Sequence, residues 1–179
     1  CLTKAAVNNF FGKSAGKLAH AAMTKSSPLY VQFYVTARCN LTCEQCNVIY
    51  ANADQEEVTT EQAFRIADNL SEIGTSIVLL TGGEPFVRKD LTDIAKYFKS
   101  VGIHPRIQTN GLAKPEQIED LAASGIHDIS ISLDSLLPDT QDKVNGGYNN
   151  SWLRAIKAIS TVNKYMPDET FASFGCVLA

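Results

Sequence analysis

The strongest constraint on the fold is a repeated alternation of two kinds of segment that begins near residue 29. Short runs rich in β-branched and aromatic residues predict buried strands. Each run is followed by a longer segment whose apolar residues recur every three or four positions, which predicts an amphipathic helix. The predicted strands are 29–36, 77–80, 104–108, 128–133 and 171–178. Four strand–helix units and a last strand imply an α/β fold with a parallel sheet and right-handed crossovers.

Capping residues and prolines mark where the predicted helices begin. Thr59 and Gln62 match a capping box. Asp90 and Ser151 precede segments of helical periodicity as N-cap residues, and Pro115 suits the first turn of another helix. We expect the inward faces of the first and last of these helices to include Ile73, Leu153, Ile156 and Ile159.

The composition is that of a globular protein. The 179 residues are 45% hydrophobic and 20% charged, which suits one domain and excludes disorder or a collagen-like repeat. No apolar run approaches the roughly 20 residues that a membrane-spanning helix needs. The formal net charge of −3 argues against nucleic acid as a partner.

Positive charge is concentrated at the start of the chain. The first 43 residues include five Lys or Arg and no Asp or Glu, and apolar residues within 5–24 recur at helical spacing. We therefore divide the chain into a basic, amphipathic helical extension at 1–28 and a core domain at 29–179. The extension is expected to pack across the bottom of the core domain. The alternatives are weak attachment to a membrane surface or docking to a partner.

The cysteines indicate a reducing environment. They are Cys1, Cys39, Cys43, Cys46 and Cys176. An odd number, with three inside eight residues, makes a poor disulfide framework. The N-terminus also lacks the apolar core and cleavage site of a signal peptide. These features predict a cytoplasmic protein with reduced thiols, among which Cys176 is a core thiol of the last strand.

Three of these cysteines form a candidate metal site directly after the first predicted strand. Cys39, Cys43 and Cys46 (CNLTCEQC) lie where the loops of a parallel barrel form its active-site face. A structural zinc site normally takes four protein ligands, and no further Cys or His lies within ten residues on either side. Three thiolates and one open position suit a [4Fe–4S] cluster, with zinc or a chance spacing as alternatives. Arg38 either tunes the cluster or forms an ordinary salt bridge, the interpretation that we prefer.

Four elements of the sequence resemble motifs of the radical S-adenosylmethionine (SAM) superfamily. The cysteine motif at 39–46 is followed by Thr-Gly-Gly-Glu-Pro at 81–85, Thr-Asn-Gly at 109–111 and Ser-Ile-Ser-Leu-Asp at 130–134. They stand in the expected order on the expected strands, and the resemblance covers roughly residues 29–178. It is closest in style to the branch that holds the molybdenum-cofactor cyclase and peptide maturases.

The resemblance assigns Gly82, Gly83, Glu84 and Pro85 to the amino group of SAM. These residue types suit that role, because glycines let a ligand approach the backbone and a carboxylate attracts an ammonium group. Pro85 also favours an extended conformation at Glu84. A tight turn between strand and helix is the alternative for this segment considered alone.

Polar residues at neighbouring strand ends complete the SAM site that the resemblance implies. Related enzymes use residues around these positions for the methionine carboxylate and the ribose hydroxyls, and hydrogen bonding within the barrel mouth is the alternative. The residues concerned are Thr109, Asn110, Ser132 and Asp134. Many family members place an aromatic residue before the third cysteine, where its backbone contacts the adenine. Here that residue is Gln45.

The resemblance also implies a mechanism. SAM would chelate the fourth iron, and a one-electron donor of the flavodoxin or ferredoxin type would reduce the cluster. Cleavage of SAM would give methionine and a 5′-deoxyadenosyl radical, which takes a hydrogen atom from a peptide or small-molecule substrate. The alternatives are a non-catalytic barrel fragment that binds a cluster or SAM, and a zinc-stabilised structural domain.

The expected architecture is a partial TIM-like (β/α) barrel with parallel strands, preceded by the basic helix. The family's usual barrel has six strands, whereas this sequence supplies five. We therefore expect either a fragment of a longer protein or a shortened barrel. The residues that choose the substrate are then expected beyond Ala179.

Overall fold

The computed structural model describes residues 28–48, 56–166 and 172–175, and the expected alternation of strands and helices is present there. The strands are β1 (Tyr30–Thr36), β2 (Ile77–Gly82), β3 (His104–Thr109), β4 (Ile129–Ser132) and β5 (Ala172–Gly175). The helices are α1 (Thr60–Glu72), α2 (Leu91–Ser100), α3 (Pro115–Ala123), α4 (Pro138–Val144) and α5 (Ser151–Tyr165), with a 3-10 turn at Pro85–Val87. The order of elements is therefore the predicted one, with one added helix.

All neighbouring strands pair in parallel, and their order across the sheet equals their order in the sequence. Sequential order is what successive right-handed βα units produce. Across the described residues the first and last strands do not pair with each other, so the sheet is open. The predicted α/β partial barrel with parallel strands is confirmed.

The core lies between one face of the sheet and the helices. Val78 and Leu80 of β2, Ile107 of β3, and Ile94 and Phe98 of α2 are completely buried in one apolar cluster. Alternate residues of a strand point to opposite faces of the sheet, so the intervening positions lie on the concave side. Packing of the helices on one face of the sheet fixes the positions of the strands, and thereby the edge at which their carboxyl ends lie.

The first two helices begin at their predicted capping residues, but the second cap works differently. Thr59 Oγ1 accepts a hydrogen bond from the Gln62 N–H, and Gln62 Oε1 accepts one from the Thr59 N–H, which completes the capping box. Asp90 precedes α2 without capping it. Its carboxylate is engaged instead by Arg88 and by the Thr60 hydroxyl.

The predicted cap of the last helix is wrong by one residue. Asn150 is the N-cap of α5 and adopts a left-handed conformation, with φ 64°. Ser151 is already inside the helix, and its hydroxyl donates to Asp142 Oδ1 at 2.7 Å. The Ser151 side chain therefore bonds to α4 and does not cap α5.

Two predicted inward positions are also wrong. Ile73 is 47% exposed because α1 ends at the residue before it. Leu153 is 41% exposed because the first turn of α5 packs against α4 through Ser151. The buried residues of α5 are Ser151, Ala155, Ala158 and Val162. Ile156 and Ile159 are half-buried. Pro115, by contrast, begins α3 as predicted.

Some expectations concern residues outside the described ranges. They include the helix predicted at 5–24 within the basic extension, Cys1, Cys176 and the outer positions of the strand predicted at 171–178. These stay predictions. Within the described ranges, no helix combines the length and the apolar character needed to cross a membrane.

Candidate functional site

The motifs singled out in the sequence converge on one edge of the sheet. Parallel strands present their carboxyl ends on the same side, and the segment that follows β1 crosses this edge. We call residues 37–48 the cysteine loop. Beside it lie residues 82–85 after β2, 109–111 after β3 and 132–134 after β4. The topology thereby gathers segments that are far apart in the sequence.

The cysteine loop presents three free, half-buried thiols. Burial raises the pKa of Cys39, and it raises the pKa of Cys43 to about 11, with the charges of the other loop thiols adding to the effect. A bound metal reverses this tendency, because a coordinating thiol is deprotonated. Metal binding at this loop would therefore release protons.

The end of β2 binds the start of the cysteine loop, a contact that we call the strand anchor. The Gly83 N–H donates to the Thr36 carbonyl at 2.8 Å, and the Glu84 N–H donates to the Arg38 carbonyl at 2.9 Å. A Cβ at Gly83 would lie 2.1 Å from the Arg38 carbonyl oxygen. One at Gly82, whose φ is 143°, would lie 2.1 Å from the Thr36 carbonyl oxygen. The chain's own backbone therefore requires both glycines.

Glu84 joins the ends of β2 and β3. It is extended, with φ −130° and ψ 113°, as the following Pro85 predicts, and it is fully buried. Oε1 accepts hydrogen bonds from Thr109 Oγ1 at 2.9 Å and the Phe86 N–H at 3.0 Å, while Oε2 accepts from the Asn110 N–H at 2.8 Å. Burial raises the pKa of Glu84 to about 7, although these three hydrogen bonds act to lower it.

Asn110 connects the end of β3 to the first cysteine. Its Oδ1 accepts from the Leu112 N–H at 2.9 Å, which turns the amide nitrogen toward the cysteine loop. Nδ2 then donates to Asn40 Oδ1 at 2.8 Å and lies 3.8 Å from Cys39 Sγ. The Leu41 N–H donates to the same sulfur at 3.4 Å. Two N–H donors therefore lie beside the Cys39 sulfur, and such donors suit a thiolate.

The remaining predicted site residues also border this edge. Ser132 Oγ accepts from Gln108 Nε2 at 2.9 Å. After burial and the neighbouring thiols, the charge of Asp134 also raises the pKa of Cys43. Gln45 is exposed, within a turn of the cysteine loop closed by a 3.1 Å hydrogen bond from the third cysteine's N–H to the second cysteine's carbonyl.

Arg38 forms the salt bridge that we preferred from the sequence. Its Nε and Nη2 donate to Glu57 at 2.8 and 2.9 Å. The Arg38 side chain is 61% exposed, and Glu57 also accepts from the Thr36 hydroxyl. The guanidinium therefore has Glu57 as its ion-pair partner.

Sequence reasoning missed a buried arginine below the strand anchor. Arg88 is 6% exposed and donates to the Val35 carbonyl at 2.7 Å and the Val58 carbonyl at 2.8 Å. It also pairs with Asp90, whose pKa the guanidinium lowers to about 2. Arg88 thus ties β1 to the segment before α1. No sequence pattern distinguishes it from an arginine on the surface.

Sequence reasoning also missed a second contact of the cysteine loop. Residues 144–146, at the end of α4, meet loop residues 42–44, and we call this contact the turn anchor. Asn145 is 3% exposed and its Oδ1 accepts from Cys43 Sγ at 3.4 Å. The Glu44 N–H points to a carbonyl of the turn at 3.4 Å. The available signal was an Asn-Gly-Gly sequence, which marks a turn but not its partner.

The donor set fits an iron–sulfur cluster with one open iron, because each thiolate of such a cluster binds a separate iron. Cys39, Cys43 and Cys46 could therefore hold such a cluster.

Together, the fold and this edge define a class of protein, a parallel α/β partial barrel that carries three free thiols on its carboxyl face. A sequence profile of the radical SAM superfamily matches residues 33–172, a span that contains the cysteine loop and the strand ends beside it. The chain belongs to the radical SAM superfamily. The family that the motifs resemble is thereby confirmed.

Curated relatives place the chain among named enzymes. It is 36% identical over 127 residues to the AdoMet-dependent heme synthase of Methanosarcina barkeri, covering 70% of this chain and 36% of that protein. It is 32% identical over 156 residues to the PqqA peptide cyclase of Bradyrhizobium diazoefficiens, covering 81% and 41%. It is 33% identical over 140 residues to the GTP 3′,8-cyclase of Desulforamulus reducens, covering 73% and 42%. The expected cyclase and maturase branch is confirmed, and the chain spans only 36% to 42% of these relatives.

Solved structures show the same fold. SuiB of Streptococcus suis superposes with a TM-score of 0.71 at 22% identity, covering 94% of this chain and 38% of that one. The structure of anSMEcpe with bound AdoMet gives a TM-score of 0.63 at 17% identity, covering 83% and 42%. At these identities the likeness concerns the fold alone.

Proposed function

We propose that this chain forms the cluster- and SAM-binding part of a radical SAM enzyme. The observation that carries the proposal is the set of three free thiols on one loop, packed against Glu84 and Asn110 at the carboxyl edge of the sheet. When bound, a [4Fe–4S] cluster and SAM supply a 5′-deoxyadenosyl radical able to take a hydrogen atom from a substrate. The protein contributes ligands, orientation and exclusion of water.

On the cluster side, Cys39, Cys43 and Cys46 are the proposed ligands. The two N–H donors near Cys39 would stabilise its negative charge once the proton has left. Asn110 thereby has two roles, since its backbone N–H donates to Glu84 and its side chain lies beside the Cys39 sulfur.

On the SAM side, Gly82, Gly83, Glu84 and Pro85 form the proposed wall for the amino group. Both carboxyl oxygens of Glu84 already accept hydrogen bonds from the chain, so the side chain provides a fixed strand end and a buried group that can become negatively charged. An ammonium group placed nearby would lower the pKa of Glu84 and hold it ionised.

The other strand ends are proposed to bind the rest of SAM. We assign the methionine carboxylate and ribose hydroxyls to Thr109, Asn110, Ser132 and Asp134. The backbone at Gln45 is the proposed contact for the adenine. A backbone contact depends on the closed turn of the cysteine loop rather than on the identity of the side chain.

The substrate class follows by analogy with the relatives. One of them is a PqqA peptide cyclase and another a mycofactocin maturase, which favours a peptide, whereas the GTP 3′,8-cyclase favours a small molecule. A flavodoxin- or ferredoxin-type protein is the proposed one-electron donor. Free thiols at the cluster loop also suit the reducing cytoplasm.

Reductive cleavage of SAM tests the proposal. The intact protein would be reconstituted anaerobically with Fe²⁺ and sulfide, supplied with dithionite and SAM, and assayed for 5′-deoxyadenosine. We expect wild type to form this product, and Cys39→Ala, Cys43→Ala and Cys46→Ala to lose both the cluster absorbance and the product. Cys1→Ala, which removes a thiol far from the loop in sequence, should retain both.

The rival functions give different results. Zinc bound at the loop in place of iron and sulfide would indicate a structural metal domain. An intact cluster without 5′-deoxyadenosine would indicate a binding module without catalysis. Alanine variants that cleave SAM as well as wild type would overturn the assignment of the ligands.

A further inference from the structure

We propose that Asn110 raises the reduction potential of the cluster by donating a hydrogen bond to the sulfur of Cys39. The inference rests on the proposed function, in which Cys39 is a ligand of the cluster. It gives the Asn110 side chain a role that does not require SAM, in addition to the contact with SAM proposed above. Because Asn110 acts through Cys39, it is a positioning residue.

The identity of each amide atom follows from the contacts at the end of β3. The Leu112 N–H is a donor, so the Asn110 atom that accepts from it at 2.9 Å is the amide oxygen Oδ1. The other amide atom is the nitrogen Nδ2, and the Asn40 atom that it meets at 2.8 Å must be an acceptor, Oδ1. An amide nitrogen carries two N–H bonds, and the second is available to Cys39 Sγ at 3.8 Å.

The turn after β3 holds Asn110 in this orientation. A side-chain oxygen that accepts from the N–H two residues further on forms an Asx turn. Gly111, between the two residues, has a left-handed φ of 80°, and a Cβ there would lie 2.9 Å from Ala155 Cα of α5. The Asn110 backbone N–H donates to Glu84 Oε2 at 2.8 Å. The amide nitrogen is therefore presented to the cysteine loop by contacts that lie outside that loop.

Loss of the Cys39 proton changes how its neighbours act on the sulfur. A thiol at this position can donate to Asn40 Oδ1 at 3.9 Å, whereas a thiolate has no proton for this contact and repels the oxygen. The N–H groups of Leu41, at 3.4 Å, and Asn110 keep their protons and attract a thiolate more strongly than a thiol. When Cys39 is a ligand, Asn110 and Asn40 therefore act on its charge with opposite signs.

Hydrogen-bond donors to a ligating sulfur favour the reduced cluster. One-electron reduction by dithionite adds one negative charge to the cluster and its thiolates, and a nearby N–H stabilises that charge, which raises the reduction potential. Removal of a group that contacts a metal ligand typically changes the behaviour of the site by about 10- to 100-fold. At the lower end, the ratio of reduced to oxidised cluster at a fixed potential falls about tenfold, which equals about 59 mV for one electron.

The experiment measures the reduction potential in the absence of SAM. The intact protein, reconstituted anaerobically with Fe²⁺ and sulfide, is titrated with dithionite, and the electron paramagnetic resonance signal of the reduced cluster is followed. We expect Asn110→Leu to lower the potential by about 59 mV, and Asn40→Leu to leave it unchanged or raise it. Both substitutions remove an amide group beside the same sulfur, so a general loss of polarity would lower both potentials.

A second pair of variants keeps the turn after β3. Asn110→Asp retains an oxygen for the Leu112 N–H but replaces the donor that faces Cys39, and Asn40→Asp adds the same charge without removing that donor. We expect the potential to fall further in Asn110→Asp than in Asn40→Asp. The iron and sulfide content of each protein shows that loaded proteins are being compared.

The outcomes separate this inference from the proposed function. If wild type holds no iron and sulfide, both fail. If wild type is loaded but neither Asn110 variant has a lower potential than its Asn40 counterpart, only the inference fails. A cluster whose potential follows the expected order, in a protein that forms no 5′-deoxyadenosine from SAM, would support the inference and overturn the proposed catalysis.

Discussion

The cysteine loop is held at two places that differ in the kind of contact that each makes. The strand anchor continues the pairing of β1 with β2 through two short backbone hydrogen bonds of 2.8 and 2.9 Å. Beside it lie Glu84, which is fully buried, and Arg88, which is 6% exposed. The turn anchor is formed by a short helix end, with one long backbone contact and one contact to a sulfur, both of 3.4 Å.

This difference suggests a division of roles. The strand anchor cannot move without breaking the sheet, so a change there should lower the free energy of unfolding. The turn anchor lies at the end of a connection between β4 and α5, so a change there should alter the cysteine loop first. In metal-free protein, this division predicts a series of effects on the free energy of unfolding.

The largest effect is expected from Arg88→Met. The substitution keeps much of the side-chain volume but removes the charge partner of Asp90 and the donor of two backbone carbonyls. Each carbonyl left unpaired costs about 1–3 kcal/mol, and the lost charge pair adds to this, so the total should exceed about 3 kcal/mol. Urea unfolding should show this loss, and Lys89→Met, which removes the neighbouring exposed charge, should stay within about 0.5 kcal/mol of wild type. Equal effects of the two variants would contradict a buried role for Arg88.

Glu84 predicts a pH dependence of the strand anchor. Burial raises its pKa in the folded protein from the ordinary 4.5 to about 7. The protonated carboxyl therefore contributes to the free energy of unfolding in full below pH 4.5, and this contribution is lost as the pH rises through 7. The rise corresponds to roughly 3 kcal/mol, since one pKa unit is worth about 1.4 kcal/mol.

The measurement is the free energy of unfolding of wild type minus that of Glu84→Gln from pH 4.5 to pH 8. Other titrating groups contribute equally to both proteins and cancel. This difference should become smaller, or more negative, as the pH rises, because only wild type loses stability. A constant difference would show that Glu84 is not buried as an acid in the folded protein.

Glycine substitutions compare the two anchors directly. Gly83→Ala should cost about 3 kcal/mol, because its Cβ would meet the rigid backbone of the strand anchor at 2.1 Å. Gly146→Ala should cost little more than the roughly 1 kcal/mol of left-handed strain that Gly147→Ala also carries. Thermal unfolding of the three variants checks the order. A larger loss in Gly146→Ala than in Gly83→Ala would reverse the proposed division of roles.

The smallest effect is expected at the exposed side of the strand anchor. Arg38 pairs with Glu57, but its side chain is 61% exposed, so the pair should contribute less than about 1 kcal/mol. A double-mutant cycle with Arg38→Met and Glu57→Gln measures the coupling, which should shrink in high salt. A salt-independent coupling well above this value would mean that the ion pair, and not the buried backbone hydrogen bonds, stabilises the strand anchor.

Much of the strand anchor could be predicted from the sequence. Apolar runs gave β1 and β2, and in a parallel sheet the residues after each strand must share one edge. The sequence therefore predicts that the Gly-Gly-Glu-Pro segment lies beside the cysteines. Arg88 was not predicted, because burial of an arginine depends on the two carbonyls that it reaches, at Val35 and Val58.

The turn anchor could not be predicted in the same way. Asn145 reaches Cys43 across 102 positions, and its orientation depends on a hydroxyl that the sequence analysis assigned to a helix cap. Ser151 failed as a cap because Asp142 of α4 accepts its proton. A short helix that periodicity does not reveal thus changed the role of two polar residues.

By itself, the sequence determined the order of the strands and of every described helix except α4, the edge at which the motifs meet and the three thiols of the cysteine loop. These follow from local periodicity and from the geometry of parallel strands, which act over a few residues. Only the tertiary structure decided what holds the loop in place. Contacts such as Arg88 with β1 and Asn145 with Cys43 join distant segments, and their existence depends on how the helices pack rather than on any local pattern.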